Sequence, residues 1–271
     1  MSGEGPYLSA VVPFGYSDFT GEGLLRLYKQ MGCRTIQVQR HPEATPGAKD
    51  LKRKVEDAGL VVDSLHGRFG RDLDPSSASA AVRAETIRVA IADAAYMAEL
   101  GGGFVVLHPS TTGETTDVVE RRGRLVDFLN ELAGPASDYG VRFVLENLPP
   151  EYPLGGDALD LVEVLRRVDR EVFGLILDTG HANMAADVAG QFRLMMEEGL
   201  SAMHVHDNLG SLDNHLWPGE GSLDWGLVSD RVGVLGAIPL AVELFPTERE
   251  LAERVGRGEG EAVKRLLGLG F

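Results

Sequence analysis

Short apolar runs alternate with helix-patterned stretches along the whole chain, and this alternation leaves few folds open. The runs are Leu8–Val12, Thr35–Val38, Leu60–Leu65, Phe104–Leu107, Val141–Leu145, Phe173–Leu177, Ala202–Val205 and Pro239–Val242. They are rich in Val, Ile, Leu and Phe and mostly lack strict alternation, which is how strands buried on both faces read. Between them Ile87, Ile91, Ala94 and Met97 recur at helical steps until Gly101–Gly103 end the pattern. Leu161, Leu165 and Val168 do the same after the turn-like Pro153–Asp157, and Asp50–Asp57 and Glu248–Leu267 also read as helices. No Pro-, Gly- or Ser-rich linker divides these units. Eight of them in 271 residues predict a single (β/α)8 TIM barrel over residues 1–271. The rival, an open doubly wound sheet, normally begins with a glycine-rich phosphate-binding turn, and GYSDFTGEG at Gly15–Gly23 does not fit that fingerprint.

The same face of the predicted barrel collects unusual chemistry. VVDSLH ends in His66, FVVLH in His108, VRFVLEN in Glu146 and Asn147, and GLILDTGH in Asp178 with His181 one turn on. SAMHVHD carries His204 and His206, and IPLAVE ends in Glu243. The C-terminal ends of parallel barrel strands converge on one face, where sites of this fold are built. One acid at a strand end is an ordinary loop hydrogen-bonder, and one histidine an ordinary core residue. Six consecutive strands ending this way predict a shared site. Imidazole and carboxylate are the ligand set of divalent transition metals, and a cation relieves the repulsion that gathered acids would otherwise suffer.

The stretch MHVHDNLGSLDNHLWPGEG, Met203–Gly221, extends that ring. Strand alternation turns His204 and His206 to one side and Val205 away. Asp213 and His215 follow as D-x-H, and the PGEG turn can fold them back over the site as further ligands. The bland reading of this loop is a solvated turn.

Charge and cysteine content narrow the partners. The formal charge of −15 repels phosphate backbones and counts against nucleic acid. No run of 18 apolar residues exists, so no membrane span is expected. The stretch MSGEGPYLSAVVPFG lacks the basic leader and long apolar segment of a signal peptide, and Cys33 is the single cysteine, so a cytoplasmic location is expected.

FVLEN, LILDTGHAN, MHVHDN, DNHLWPGEGSLDW and LAVELF match, in order and spacing, the xylose-isomerase-like barrel superfamily, and the chain resembles its sugar-phosphate isomerase/epimerase-type members. That resemblance implies one catalytic metal held by Glu146, Asp178, His204 and Glu243, with His181 on the substrate side. The related apurinic-site endonucleases hold three zinc ions through nine ligands. Those positions fall here on His66, His108, Glu146, Asp178, His181, His204, Asp213, His215 and Glu243. One to three divalent ions (Mn, Zn, Co or Mg) are therefore implied. The endonuclease pattern is incomplete: the first strand lacks a histidine near its end, and QRHPEATPGAKD does not resemble a DNA-inserting loop.

By resemblance, the function is a metal-dependent sugar, sugar phosphate or polyol isomerase or epimerase. Glu146 and Glu243 would move a proton through a metal-stabilised enediolate, as base and acid. His206, Arg68 and Trp217 are candidate substrate contacts, Trp217 having loop packing as its even alternative. Arg40, Arg68 and Arg71 could read a phosphate or carboxylate, or be surface charges. The loops FGYSDFTGEG and RHPEATPG are expected to shape specificity. The alternatives are metal-assisted phosphodiester hydrolysis, dehydration of a keto-polyol, or binding without turnover. The partner is a small carbohydrate, and a homo-oligomer is left open.

Overall fold

Each apolar run becomes a strand, and the last strand pairs with the first. The computed structural model describes residues 5–16, 21–41, 43–111 and 117–269. Its strands are β1 (Tyr7–Phe14), β2 (Thr35–Arg40), β3 (Val61–His66), β4 (Phe104–Leu107), β5 (Arg142–Glu146), β6 (Phe173–Asp178), β7 (Leu200–Val205) and β8 (Pro239–Val242). All neighbours are parallel, and β8 returns to β1 through Leu8 and Leu240, giving a closed (β/α)8 TIM barrel. Closure rules out the open doubly wound sheet.

The outer layer comprises α1 (Gly21–Met31), α2 (Ala48–Asp57), α3 (Ala80–Leu100), α4 (Val118–Tyr139) and α5 (Ala158–Leu165), then α6 (Thr179–Met184) and α7 (Val188–Glu198) between β6 and β7. α8 (Trp225–Val232) precedes β8, and α9 (Glu248–Gly256) and α10 (Glu259–Leu266) follow it. Local chemistry sets several ends. Ser79 caps α3 by accepting from the Val82 amide, and Gly101 ends it at φ +81°, where a side chain would clash. Thr247 and Glu250 form a capping box at α9. The single helix expected over Glu248–Leu267 is instead two, because Gly258 takes φ +79° and turns the chain between them.

Strand alternation sorts the apolar side chains into two bodies. Val105, Phe143, Leu145, Leu175, Leu177, Met203 and Val205 join the large core between strands and helices. Their alternates Phe104, Val106, Val144, Ile176 and Ala202 form a separate cluster inside the barrel, drawn from β4 to β7 alone. Across the barrel the interior is polar: Ser9, Gln37 and Ser64 of β1–β3 are fully buried. Two one-residue register shifts adjust the alternation. Asp63 is the extra residue of β3, between Ile36↔Val62 and Gln37↔Ser64; Ser201 is that of β7, between Leu175↔Leu200 and Ile176↔Ala202.

The inner cluster is small, so each member matters. Ile176→Ala is expected to lower unfolding free energy by about 2–4 kcal/mol, read from urea denaturation midpoints at unchanged m-value.

Candidate metal centre

Glu146 ends β5, Asp178 ends β6, His204 lies one residue before the end of β7, and Glu243 follows β8 directly. Their ligand atoms lie within 4.8 Å of one another, and all four side chains are buried. His204 Nδ1 is 2.8 Å from Glu146 Oε1, 2.9 Å from Glu243 Oε2 and 3.7 Å from Asp178 Oδ2. Burial would lower the His204 pKa, but the facing charges of Glu243 and Glu146 hold it well above the usual imidazole range. Burial raises Glu146 and Glu243 in turn, and His204 more than reverses this, leaving both well below the usual carboxylate range. Glu146 and Glu243 share the one His204 nitrogen, and Asp178 is met by His206 Nε2 and the His181 amide, so three carboxylates gather around a single imidazole. A divalent cation among these four residues fits that gathering and the imidazole–carboxylate donor set.

Two wings extend the centre. On one side, Glu146 Oε2 is buried without a hydrogen-bond partner and faces His108 Nε2 at 3.2 Å and His66 Nε2 at 3.7 Å. Burial lowers His66, so its neutral, ligand-competent form is favoured. On the other side, Asp213 Oδ2 is shared by His181 Nε2 at 3.2 Å and His215 Nε2 at 3.3 Å. Burial acts against protonation of His181, yet Asp178, Asp213 and Glu146 push its pKa up to about 10. His215, held by Asp213 and Glu243 against the same burial, rises to about 9. All nine residues named from the sequence as ligands thus meet on one rim.

Other placements differ from the sequence reading. His206 is fully buried beneath Asp178, with Nε2 at 2.9 Å from Oδ1, and its ring stacks on His215 at 4.1 Å. It groups with Asp178 and His181, and with Asp213 and His215, rather than lining the cavity over the centre. Trp217 packs in the core under the Arg254 guanidinium at 4.5 Å, the loop-anchoring alternative. Arg40 and Arg68 both bind buried Asp93, at 2.6 and 3.0 Å. Of the loops expected to shape specificity, residues 17–20 and Pro42 lie outside the described residues.

The structure also gives roles to Asn147, named from the sequence only as a strand end, and to Asp207. Asn147 bridges β5 to β6, donating to the Asp178 carbonyl at 3.0 Å and accepting from the Asp178 amide at 2.7 Å. Its own carbonyl accepts from His181 Nδ1 at 2.8 Å. Asp207 anchors the loop that carries Asp213 and His215. Its carboxylate accepts from the Gly219 and Leu223 amides and from Trp225 Nε1, and its backbone pairs with Leu216. His215 takes φ +46°, a strained conformation for a non-glycine residue, and donates Nδ1–H to the Glu243 carbonyl at 2.9 Å.

A cavity of about 190 Å³ opens over the centre. Glu146, Glu243, His181 and Gln39 give it polar walls, and Phe69, Tyr152 and Phe245 apolar ones. No lysine or arginine lines it among the described residues. A neighbouring hollow shares Gln39, His66 and Phe69 with it and includes Arg40 and Arg68. A larger hollow of about 370 Å³ lies around Trp217 and Arg254, but of the clustered residues it touches His215 alone. Chemistry converges on the smaller cavity.

A closed (β/α)8 barrel thus gathers imidazoles and carboxylates that could hold a metal at its C-terminal rim, the face where sites of this fold are built. The chain belongs to the xylose isomerase-like TIM barrel family, whose model matches residues 25–258. It is 26% identical over 156 residues to inosose isomerase of Bacillus subtilis (strain 168), covering 55% of this chain and 56% of that one. The chain spans between 44% and 60% of the length of three uncharacterised curated relatives, the 34%-identical one from Methanocaldococcus jannaschii. A D-tagatose 3-epimerase-like protein superposes with TM-score 0.77 at 23% identity, covering 97% of each chain. The IolI protein with a bound zinc atom superposes with TM-score 0.76 at 19% identity, covering 96% of this chain and 99% of that one. At these identities the superpositions establish the fold. Among the described residues, no helix is long and apolar enough to cross a membrane.

In protein stripped of metal by a chelator, His181 and His215 hold protons more tightly folded than unfolded. The stability they supply is complete below about pH 6.5 and is lost as pH rises through about 9 and about 10. Urea midpoints of chelated protein should fall across that window, and Asp213→Asn, which removes the shared negative charge, should flatten the fall.

Proposed function

We infer that the chain is a divalent-metal-dependent isomerase or epimerase of a sugar or polyol-derived hydroxy-carbonyl compound, acting as one barrel domain in the reducing cytoplasm. The observation that carries this reading is the position of Glu146 and Glu243. Each turns one oxygen to His204 Nδ1, and both line the same cavity. Glu146, Asp178, His204 and Glu243 would hold the ion. When bound, it polarises a substrate carbonyl and offsets the charge left as the adjacent C–H proton departs. Glu146 and Glu243 would act as base and acid: the second oxygen of one would take that proton, and the other, once protonated from solvent, would supply the proton returned to carbon. His181, fixed by the Asn147 carbonyl, orients a substrate hydroxyl through Nε2. Phe69, Tyr152 and Phe245 supply apolar walls for the ring or chain carbons and keep water out.

The cavity suits an uncharged sugar. A phosphorylated substrate would have to extend into the neighbouring hollow, where Arg40 and Arg68 are already held by Asp93. Support also comes from the relatives: an inosose isomerase, a D-tagatose 3-epimerase-like protein and a zinc-bearing barrel. Phosphodiester hydrolysis is the second reading, favoured by the two wings around His108 and Asp213. The charge of −15 and a cavity without basic residues count against a polyanionic substrate.

Glu146→Gln is expected to lose tightly bound divalent metal, read by elemental analysis after dialysis, and to lower turnover by about 10²–10⁴-fold. Full metal content and full turnover in that variant would remove the assigned centre. The two reactions separate by assay: we expect wild-type protein to exchange solvent deuterium into a ketose or inosose panel and to leave abasic DNA intact. Nicking without exchange would reverse the assignment.

A further inference from the structure

Below the rim, a chain of polar side chains crosses the barrel interior from β3 to His204. His204 Nε2 lies 2.9 Å from Gln37 Oε1, Gln37 Nε2 lies 3.0 Å from Ser64 Oγ, and Ser64 Oγ lies 2.6 Å from Asp63 Oδ1. Asp63 Oδ2 accepts from Ser9 Oγ at 2.9 Å and from Thr35 Oγ1. Gln37, Ser64 and His204 are fully buried.

The direction of every bond in this chain follows from its far end. A carboxylate accepts and cannot donate, so Ser64 gives its one hydroxyl proton to Asp63. The Ser64 oxygen then accepts from the Gln37 amide nitrogen, which turns the Gln37 carbonyl toward His204. A carbonyl accepts as well, so the hydrogen lies on His204 Nε2, and Nδ1 is the nitrogen offered to Glu146, Asp178 and Glu243. Flipping the amide would break this order. Gln37 would then take the Ser64 proton, and a serine and a carboxylate oxygen would face each other at 2.6 Å with no proton between them.

His204 differs in this from its neighbours. His66, His181 and His215 each donate Nδ1–H to a backbone carbonyl, of Gly67, Asn147 and Glu243, and so present Nε2 to the site. Backbone carbonyls cannot flip. His204 presents the opposite nitrogen and depends on a side-chain amide, which could flip if nothing held it. The register shift at Asp63 supplies the hold: as the extra residue of β3, it reaches Ser9 of β1 and Thr35 of β2 while the next residue, Ser64, reaches Gln37 of β2.

We propose that Gln37, Ser64 and Asp63 are positioning residues that lock His204 as its Nε2–H tautomer and thereby present Nδ1 to a divalent cation. This rests on the reading of His204 as a metal ligand. None of the three touches the cavity over the centre. They act through His204 alone, as partners behind a metal-bound imidazole do elsewhere.

The test uses full-length protein with zinc as the probe. Zinc affinity is measured by competition with a chelating dye, and the His204 tautomer by long-range proton–nitrogen NMR of 15N-histidine-labelled, zinc-loaded protein. Wild type should show zinc on Nδ1 and hydrogen on Nε2. Gln37→Leu should weaken zinc binding by about 10–100-fold and lose the single-tautomer signature. Ser64→Ala, a smaller change that keeps the chain folded should Gln37→Leu fail to fold, releases the amide and should weaken binding in the same direction. Zinc on Nε2 in wild type, or wild-type affinity with an unchanged tautomer in a folded Gln37 or Ser64 variant, overturns the proposal. If zinc binding survives there but is lost in Glu146→Gln, the positioning role alone falls. If wild type binds no zinc, the metal reading falls with it.

Discussion

Three carboxylates converge on one buried imidazole nitrogen, and much of the molecule serves to make that arrangement tolerable. Glu146, Asp178 and Glu243 come from three strands and meet around His204 Nδ1 with almost no water contact. In such surroundings like charges repel strongly and desolvation favours neutral forms. The pKa directions record the outcome in the absence of a cation: His204 is driven up and Glu146 and Glu243 are driven down, each by the other. The same acids also help to hold protons on His181 and His215 at the edge of the group. The gathered acids and imidazole could hold a cation, and Glu146 and Glu243 also line the cavity above it.

The barrel supports this centre asymmetrically. Phe104, Val106, Val144, Ile176 and Ala202 fill the interior below β4–β7 with apolar side chains, while β1–β3 carry Ser9, Gln37 and Ser64 inward. The apolar half fixes the strands that bear Glu146 and Asp178. The polar half ends on His204 and sets which of its nitrogens faces the acids. Both register shifts lie beside this division, one in β3 and one in β7. A bulge changes which residues face inward beyond it, so His66 and His204 face the rim because of an extra residue below each of them.

The loop after β7 is a second rigid element. Asp207 is buried, yet its carboxylate is spent on the loop's own amides and on Trp225 rather than on the centre. That scaffold holds Asp213 where His181 and His215 can share it, and it carries the strained backbone of His215. Asp207 and Asp213 therefore divide by role, one structural and one facing the site, and the D-x-H spacing with His215 pointed to Asp213 as the second.

The strands were readable because each is a compact block of β-branched and large apolar residues, and their observed ends differ from the expected ones by at most two residues. The rim was readable for a related reason: in a closed parallel barrel every strand's C-terminal end shares one face, so Glu146, Asp178, His204 and Glu243 could be assigned a common location without knowing any distance. Distances decided the rest. His206 and Trp217 turned inward and Arg68 was taken up by Asp93, because contacts between residues far apart in sequence are not encoded in either one's local pattern. Gln37 reads as one polar residue in a buried strand. Its connection to Asp63 and His204 exists because of a one-residue slip between strands, and periodicity within a single strand carries no record of its register against the next.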